Sequence, residues 1–146
     1  MEEGRIVDKI REACEEIISL VAVEGEKVVG HIFFSPAVIN YNGKAIKGMG
    51  LAPMAVLPEQ QNKGIGSLLV IEGIKRVKET GYPFIIVLGH EKYYPRFGFE
   101  RASKYEIKPQ WKGVPDEAFM LMILDKVTMA GVSGVATYRK EFDEAM

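Results

Sequence analysis

The chain has 146 residues and a formal net charge of −1, with 47% hydrophobic and 27% charged residues. A chain of this length and balance is expected to form a single domain, residues 1–146, with a full hydrophobic core and one functional cleft. The composition excludes disordered, collagen-like and low-complexity classes, and no apolar run approaches the roughly 18 residues of a membrane-spanning helix. The near-neutral charge gives no reason to expect nucleic acid or an anionic membrane as a partner.

Two features of the sequence favour a cytoplasmic protein. No basic region followed by an apolar stretch opens the sequence, so no secretory signal is expected. The single cysteine, Cys14, cannot form an internal disulfide, which fits a reducing compartment. Cys14 lies on the apolar side of a short amphipathic helix predicted from Ile6 to about Ser19. A small buried hydrophobe is favoured there over a nucleophile.

After this helix the sequence changes to a β-rich pattern with two predicted hairpins. Runs from Leu20 to Val23 and from Val28 to Phe34 flank a turn that contains a glycine. A third run, Ala37 to Tyr41, leads into Asn42-Gly43, a strong hairpin signal because both turn positions need a positive φ angle. The returning strand is predicted from about Ala45 to Leu57.

The second half of the sequence combines one strong helix with further strands. The segment from Gly64 to Lys78 has apolar residues at helical spacing, basic residues in its last turns and Gly81 after its end. The continuous apolar run from Phe84 to Leu88 predicts a central strand. A short helix or turn is predicted around Lys92 to Arg96. Three late strands complete the predicted elements: Tyr105 to Lys108, Ala118 to Leu124 and Val135 to Tyr138.

The loop between the strand ending at Leu57 and the following helix carries the main chemical signal. A polar segment follows the strand, and Gly64 and Gly66 open the helix. Helix N-termini present free backbone N–H groups and a partial positive charge, and glycine lets a diphosphate approach them closely. A tight strand-to-helix turn also needs glycine, so a purely structural role is the alternative. The segment lacks the Gly-Lys-Ser/Thr of a nucleotide P-loop, and Leu69 stands where a Rossmann site needs glycine.

Two segments of the chain, separated by one predicted helix and one predicted strand, carry a recognisable pair of motifs. The first is Gln61-Asn62-Lys63-Gly64-Ile65-Gly66, and the second is Tyr94-Pro95-Arg96-Phe97-Gly98-Phe99. The first resembles the Gln/Arg-x-x-Gly-x-Gly/Ala signature of the GNAT superfamily of N-acetyltransferases, and the second resembles the Tyr-x-x-x-Gly-Phe stretch after the family's next strand. The resemblance covers roughly Ser19 to Phe142 and extends to a bacterial and archaeal "predicted acetyltransferase" branch.

The resemblance implies an α/β (α+β) fold of the acyl-CoA N-acyltransferase type. Its mixed, mostly antiparallel sheet is flanked by helices and opens into a V between two central parallel strands, here Leu51 to Leu57 and Phe84 to Leu88. Acetyl-CoA is expected in this V as the cosubstrate, with its diphosphate on helix N-terminal amides and its pantetheine paired with strand backbone. No metal is expected. Pro53 cannot donate to a sheet ladder, which fits an interruption where the family has its bulge. The implied cofactor-binding residues are Met54, Ala55, Val56, Gln61, Asn62, Lys63, Gly64, Ile65, Gly66 and Ser67.

The implied reaction is direct attack of a primary amine, on a small molecule or a protein, at the thioester. Tyr94 matches the family's general-acid position; hydrogen bonding to the leaving thiolate is favoured there, because full proton transfer is uphill by about 2 kcal/mol. Packing among neighbouring aromatic rings is the alternative role for Tyr94. His90 is the best candidate for the base, since imidazole is a common general base at neutral pH. A structural role for His90 and a water relay to Glu91 or Glu100 are the alternatives.

The chain departs from the family pattern in two places. Val87 stands where the family often has an asparagine that contacts the cofactor. Before the first predicted helix there is no room for the family's first strand, and only one helix precedes the first hairpin. A sheet edge left open in this way must be covered or paired, which predicts a homodimer. The family builds part of its acceptor pocket from this region. Its shortening therefore leaves a rival function, a catalytically weak acyl-CoA-binding or regulatory module.

Overall fold

A computed structural model describes residues 17–61 and 63–139, which form an eight-stranded mixed sheet with two α-helices. The strands are β1 (Ile18–Glu24), β2 (Lys27–Tyr41), β3 (Lys44–Val56), β4 (Phe84–Leu88), β5 (Glu100–Arg101), β6 (Ile107–Pro109), β7 (Phe119–Ile123) and β8 (Gly134–Thr137). The helices are α1 (Ile65–Glu79) and α2 (Lys126–Met129). Short 3-10 turns cover Pro58–Gln60, Tyr94–Phe97, Ala102–Tyr105 and Asp116–Ala118.

The strands are ordered β5-β7-β4-β3-β2-β8-β6 across the sheet, and β1 also pairs with β2. Strand β2 is long enough to hold two partners on the edge opposite β3, with β1 along its first half and β8 near its end. Among the described strands, β3 with β4 and β6 with β8 are parallel, and the other pairs are antiparallel. The predicted mixed, mostly antiparallel sheet is therefore confirmed.

Strand β4 is buried on both faces, as its continuous apolar sequence predicts. Phe84 and Ile86 belong to one core cluster, whereas Ile85 and Val87 belong to a second cluster that includes the buried face of α1. Each such side chain contributes about 1.5–3 kcal/mol when it leaves water. The central strand is thus fixed by a core on each side of the sheet.

Strands β3 and β4 diverge after a short shared register. Their paired residues end with Leu51 opposite Val87, yet β3 continues to Val56. On its other side β3 carries a bulge, because two of its residues, at positions 52 and 53, lie opposite the single residue Phe33 of β2. The bulge occurs at Pro53, as the sequence predicts, and β3 bends away from β4 at this point.

The structure differs from the sequence predictions at four points. The runs predicted to break after Phe34 form one strand, and Pro36 falls between the segments of β2 that pair with β1 and β8, where a residue without an N–H is tolerated. The strand predicted from Tyr105 begins at Ile107, because Glu106 has a φ of 57° that breaks extended backbone. Strand β5 and helix α2 were not predicted.

The fourth difference concerns the predicted first helix. That helix lies outside the described residues except at its end, where Ile18 and Ser19 already belong to β1 and pair with β2. Within residues 17–61 and 63–139, no helix is both long and apolar enough to cross a membrane.

Candidate functional site

A cleft of about 1000 Å³ lies where β3 and β4 diverge. Three parts of the fold form its walls: the end of β3 with the loop after it, the N-terminal turn of α1, and the segment that follows β4. Its lining residues are Met54, Ala55, Val56, Gln60, Gln61, Gly64, Gly66, Ser67, Gly89, His90, Tyr93, Tyr94 and Arg96. The structure therefore brings the two sequence motifs together across one cleft.

The β3 wall offers an unpaired strand edge. Met54, Ala55 and Val56 pair with β2 on one side, but the register with β4 has already ended at Leu51. An extended ligand can use such an edge for backbone hydrogen bonds. The Gln61 side chain donates to the Val56 carbonyl at 3.2 Å, which ties the start of the glycine motif to the end of the strand.

The second wall is the N-terminal turn of α1. Gly64 is the N-cap residue with a φ of 83°, a left-handed conformation that favours glycine. No side chain caps this turn and it contains no acidic residue, so its N–H groups and the helix dipole are available to an anion. The side chain of Ile65 packs towards the core, leaving only its backbone for a ligand. Lys63 is exposed beside the cleft, and Asn62 lies outside the described residues.

Gln60 is a cleft residue that the sequence analysis did not single out. Its Oε1 atom is buried and has no hydrogen-bond partner in the described part of the chain. A buried acceptor without a partner costs stability unless a ligand or water satisfies it. Gln60 thus carries one buried acceptor that the described protein groups leave unsatisfied.

The third wall places Tyr94 in an apolar setting. Tyr94 is only 7% exposed, and its ring meets those of Tyr93 and Phe99 edge-on at 5.1 and 5.7 Å. A Cβ atom at Gly89 would collide with the Tyr94 ring, so that glycine is required for the packing. Burial raises the pKa of Tyr94 to about 12, with a smaller contribution from Tyr93. Its phenol therefore stays protonated at neutral pH and can donate a hydrogen bond into the cleft.

Tyr93 reaches the opposite wall. Its hydroxyl lies 3.5 Å from Ser67 Oγ, in the first turn of α1. The Arg96 guanidinium carbon lies 5.2 Å from the centre of the Tyr93 ring, which holds a cation at the same rim. The sequence motif pointed to the neighbouring Tyr94, and nothing in the spacing indicated that Tyr93 reaches across the cleft or that Arg96 stacks on its ring.

His90 lies at the cleft just after β4, as predicted, and it is exposed. Its carbonyl accepts hydrogen bonds from the N–H groups of Tyr93 and Tyr94 at 3.1 and 3.4 Å, while its imidazole has no partner in the described residues. The two glutamates weighed as relay groups do not line the cleft. Glu100 is instead bonded to Lys104 and Tyr105, each at 2.8 Å.

Two further expectations concern the residue at position 87 and a bound metal ion. Val87, which replaces the asparagine frequent in the family, is 1% exposed and packs in the core. In residues 17–61 and 63–139, no cluster of three or more His, Cys, Asp or Glu side chains is arranged to hold a metal ion. The polar groups that line the cleft are backbone amides, hydroxyl groups, two glutamine side chains, one imidazole and one guanidinium.

Comparison with known proteins identifies the family. The sequence profile of the acetyltransferase (GNAT) domain matches residues 1–102. The chain belongs to the GNAT family of acetyltransferases. A curated relative, the uncharacterized N-acetyltransferase YhbS of Escherichia coli K12, is 32% identical over 142 residues, which cover 97% of this chain and 83% of YhbS.

Solved structures of the GNAT family agree with this assignment. The crystal structure of YhbS from Escherichia coli in complex with CoA matches with a TM-score of 0.86 and 32% identity, over 97% of this chain and 78% of that one. A GNAT acetyltransferase from Brucella melitensis in complex with acetyl-CoA matches with a TM-score of 0.76 and 34% identity, over 97% and 79% of the two chains. The predicted fold is confirmed, as is the predicted enzyme class, an acetyl-CoA-dependent N-acetyltransferase.

Proposed function

We propose that this chain transfers the acetyl group of acetyl-CoA to a primary amine of a small molecule or a protein by direct attack. We further propose that residues 1–146 form a single domain that works in the cytoplasm. The observation that carries the proposal is the cleft between β3 and β4, which an unpaired strand edge, an uncapped helix N-terminus and a buried tyrosine line together. Each of these three parts suits a different portion of acetyl-CoA.

The cofactor end of the cleft fits a diphosphate and an extended chain with amide groups. The N–H groups at Gly64, Gly66 and Ser67 suit the diphosphate, because they combine free donors with the positive end of the helix dipole. The edge of β3 at residues 54–56 suits the pantetheine amides.

Tyr94 is proposed to hydrogen-bond the thiolate that leaves when the thioester is attacked. With its pKa raised to about 12, Tyr94 donates a hydrogen bond without losing its proton. Full transfer to a thiolate, whose pKa as a free thiol is about 8.5, would be uphill by about 5 kcal/mol. The buried, protonated phenol thus stabilises charge that develops in the transition state.

His90 is proposed to accept the proton of the attacking amine. It lies at the open end of the V, next to Tyr94 along the cleft wall, and its imidazole is not engaged by another described side chain. A base must reach the amine directly or through one water, and an exposed imidazole at the cleft mouth meets that condition. The packing of Glu100 against Lys104 and Tyr105 argues against a relay through that carboxylate.

A homodimer is proposed from the outer edge of the sheet. In the described part of the chain, β1 pairs only with β2, which leaves its other edge open. Val21 and Val23 of β1 are exposed by 54% and 56%, and Val28, opposite Val23 on β2, is exposed by 53%. Open strand edges with apolar side chains invite pairing with another chain, and a second copy would protect this edge.

The proposed reaction is tested by incubating the purified protein with saturating acetyl-CoA and a panel of primary amines while free thiol is detected. The proposal expects thiol release that depends on at least one amine. Binding of CoA without amine-dependent release from any member of a broad panel would favour the acyl-CoA-binding module over the enzyme.

A further inference from the structure

The point at which β3 and β4 separate is occupied by the hydroxyl of Tyr138. This residue follows β8 directly and is 6% exposed. Its hydroxyl lies 3.3 Å from two backbone carbonyl oxygens, Leu51 O on β3 and Ile86 O on β4, and shares its one proton between them. The backbone N–H of Leu88 lies near enough to this oxygen to lower the pKa of the phenol, against the larger effect of burial. One phenol therefore connects the two strands at the apex of the cleft.

This hydroxyl lies where the next backbone hydrogen bond, or rung, between β3 and β4 would otherwise form. With Leu51 opposite Val87 in a parallel pair, the next rung would run from the Leu88 N–H to the Leu51 carbonyl. The Tyr138 hydroxyl instead lies within hydrogen-bond distance of that carbonyl and near that N–H. The inserted hydroxyl gives the Leu51 carbonyl a donor while the two strands stay further apart than a direct hydrogen bond allows.

Three neighbouring residues fix the position of Tyr138. A Cβ atom at Gly50 would collide with the ring, so β3 carries a glycine where the ring crosses it. Trp111 stacks on the ring with centroids 5.6 Å apart and an interplanar angle of 21°. The Tyr138 N–H donates to Gln110 Oε1 at 2.6 Å, which fixes the backbone. The hydroxyl consequently has one position, at the apex.

We propose that Tyr138 is a positioning residue for acetyl-CoA, whose hydroxyl replaces one rung between β3 and β4 and holds the cleft open. The inference rests on the proposed function, in which the cofactor lies between these strands. Burial raises the pKa of Tyr138 far above its ordinary value, and the nearby Tyr94 raises it further. Tyr138 thus acts as a neutral hydrogen-bonding group, close to the residue proposed to assist the leaving thiolate.

The test is Tyr138→Phe, which keeps the ring and removes the hydroxyl. Without the inserted hydroxyl, the Leu51 carbonyl either pairs directly with the Leu88 N–H, which narrows the cleft, or loses its donor. We expect CoA to bind about tenfold more weakly or worse by calorimetry, and KM for acetyl-CoA to change more than kcat. Trp111 is the chain's one tryptophan, so its fluorescence reports whether the ring still stacks. Tyr41→Phe, at a partly buried tyrosine that packs against the same core cluster as Tyr138, is the matched control.

The outcomes separate this inference from the proposed function. Weaker CoA binding by Tyr138→Phe, with wild-type Trp111 emission and an unaffected Tyr41→Phe control, supports the positioning role. Equal CoA affinity in a folded Tyr138→Phe variant overturns it while leaving the proposed function intact. A wild-type chain that does not bind CoA overturns both. If Tyr138→Phe does not fold, Gly50→Ala decides, because its Cβ atom displaces the Tyr138 ring from the apex: weaker CoA binding by the folded variant supports the positioning role, and unchanged binding contradicts it.

Discussion

The hydroxyl of Tyr93 lies 3.0 Å from the point at which a Cβ atom on Gly66 would stand. This contact spans the cleft, because Tyr93 belongs to the wall after β4 and Gly66 to the first turn of α1. Gly66 therefore serves two purposes: it exposes the amides of the helix N-terminus, and it leaves space for the tyrosine opposite. A side chain at position 66 would meet the Tyr93 hydroxyl and take up space in the proposed cofactor path.

Gly66→Glu is expected to abolish the stabilisation of the protein by acetyl-CoA. In the wild type, acetyl-CoA should raise the melting temperature, since a ligand that binds only the folded state stabilises it by mass action. The glutamate would place bulk and negative charge at the proposed diphosphate position. Thermal melts with and without acetyl-CoA, together with calorimetry, measure the effect.

Leu68→Glu is the matched control for that charge. Leu68 lies in the same helix, is 68% exposed and does not line the cleft. It should retain the thermal shift on acetyl-CoA addition. Unchanged CoA affinity in a folded Gly66→Glu variant would refute the placement of the diphosphate.

Tyr94→Phe is expected to lower kcat by roughly 10²-fold or more while acetyl-CoA binding stays nearly intact. The substitution keeps the edge-on packing and removes only the hydroxyl, so it deletes an interaction made mainly in the transition state. Steady-state kinetics with an accepted amine measure this split.

Tyr93→Phe is the internal control, since its hydroxyl faces Ser67 rather than the buried position of Tyr94. It should keep kcat and change only the cofactor affinity. If Tyr93→Phe loses kcat while Tyr94→Phe keeps it, the hydroxyl that stabilises the leaving thiolate is that of Tyr93 and not that of Tyr94. If kcat survives both substitutions, Tyr94 serves only in packing.

Alkaline pH should destabilise the folded protein partly through Tyr94. Its pKa is about 12 in the folded state, against an ordinary value of about 10 for an exposed tyrosine. The folded chain therefore holds this proton more tightly than the unfolded chain does. The resulting contribution of Tyr94 to the free energy of unfolding is complete below pH 10 and is lost as the pH rises towards 12. The free energy of unfolding of the wild type should fall more steeply than that of Tyr94→Phe, by on the order of 2 kcal/mol across this range. Parallel curves from pH 9 to 12 would show that Tyr94 titrates like an exposed tyrosine.

Lysine at the open sheet edge is expected to disrupt the proposed dimer. Val23→Lys places a charge on β1, where edge lysines discourage strand pairing. Sedimentation should show a dimer for the wild type and a monomer for this variant. Val127→Lys, at an 88% exposed valine on α2, controls for the added charge and should stay dimeric. A wild-type chain that sediments as a clean monomer at tens of micromolar would contradict the dimer.

The local parts of the fold could be predicted because short-range chemistry determines them. The apolar run from Phe84 to Leu88 has the bounds of β4, and the predicted helix from Gly64 differs from α1 by one residue at each end. Pro53 marks the bulge of β3, since a residue without an N–H cannot continue the ladder. Glu106 was missed because its side chain gives no warning of a positive φ.

The parts of the site that could not be predicted depend on contacts between distant residues. Tyr138 reaches Leu51 across 87 positions of sequence and Ile86 across 52, and no motif marks either contact. Tyr93 lies next to the tyrosine that matches the family motif, and only the fold shows which hydroxyl faces Ser67. The sequence motifs indicated which segments line the cleft. Only the structure shows Tyr138 at its apex and the contact of Tyr93 with Ser67 across it.

The central claim is that acetyl moves from acetyl-CoA to an amine nitrogen at this cleft. Mass spectrometry of the amine after incubation with ¹³C-acetyl-CoA tests it most directly. The wild type should yield the N-acetylated amine with the labelled acetyl group, and Gly66→Glu should yield none. Thiol release without labelled amine would show hydrolysis of the thioester, and would contradict the proposed transfer.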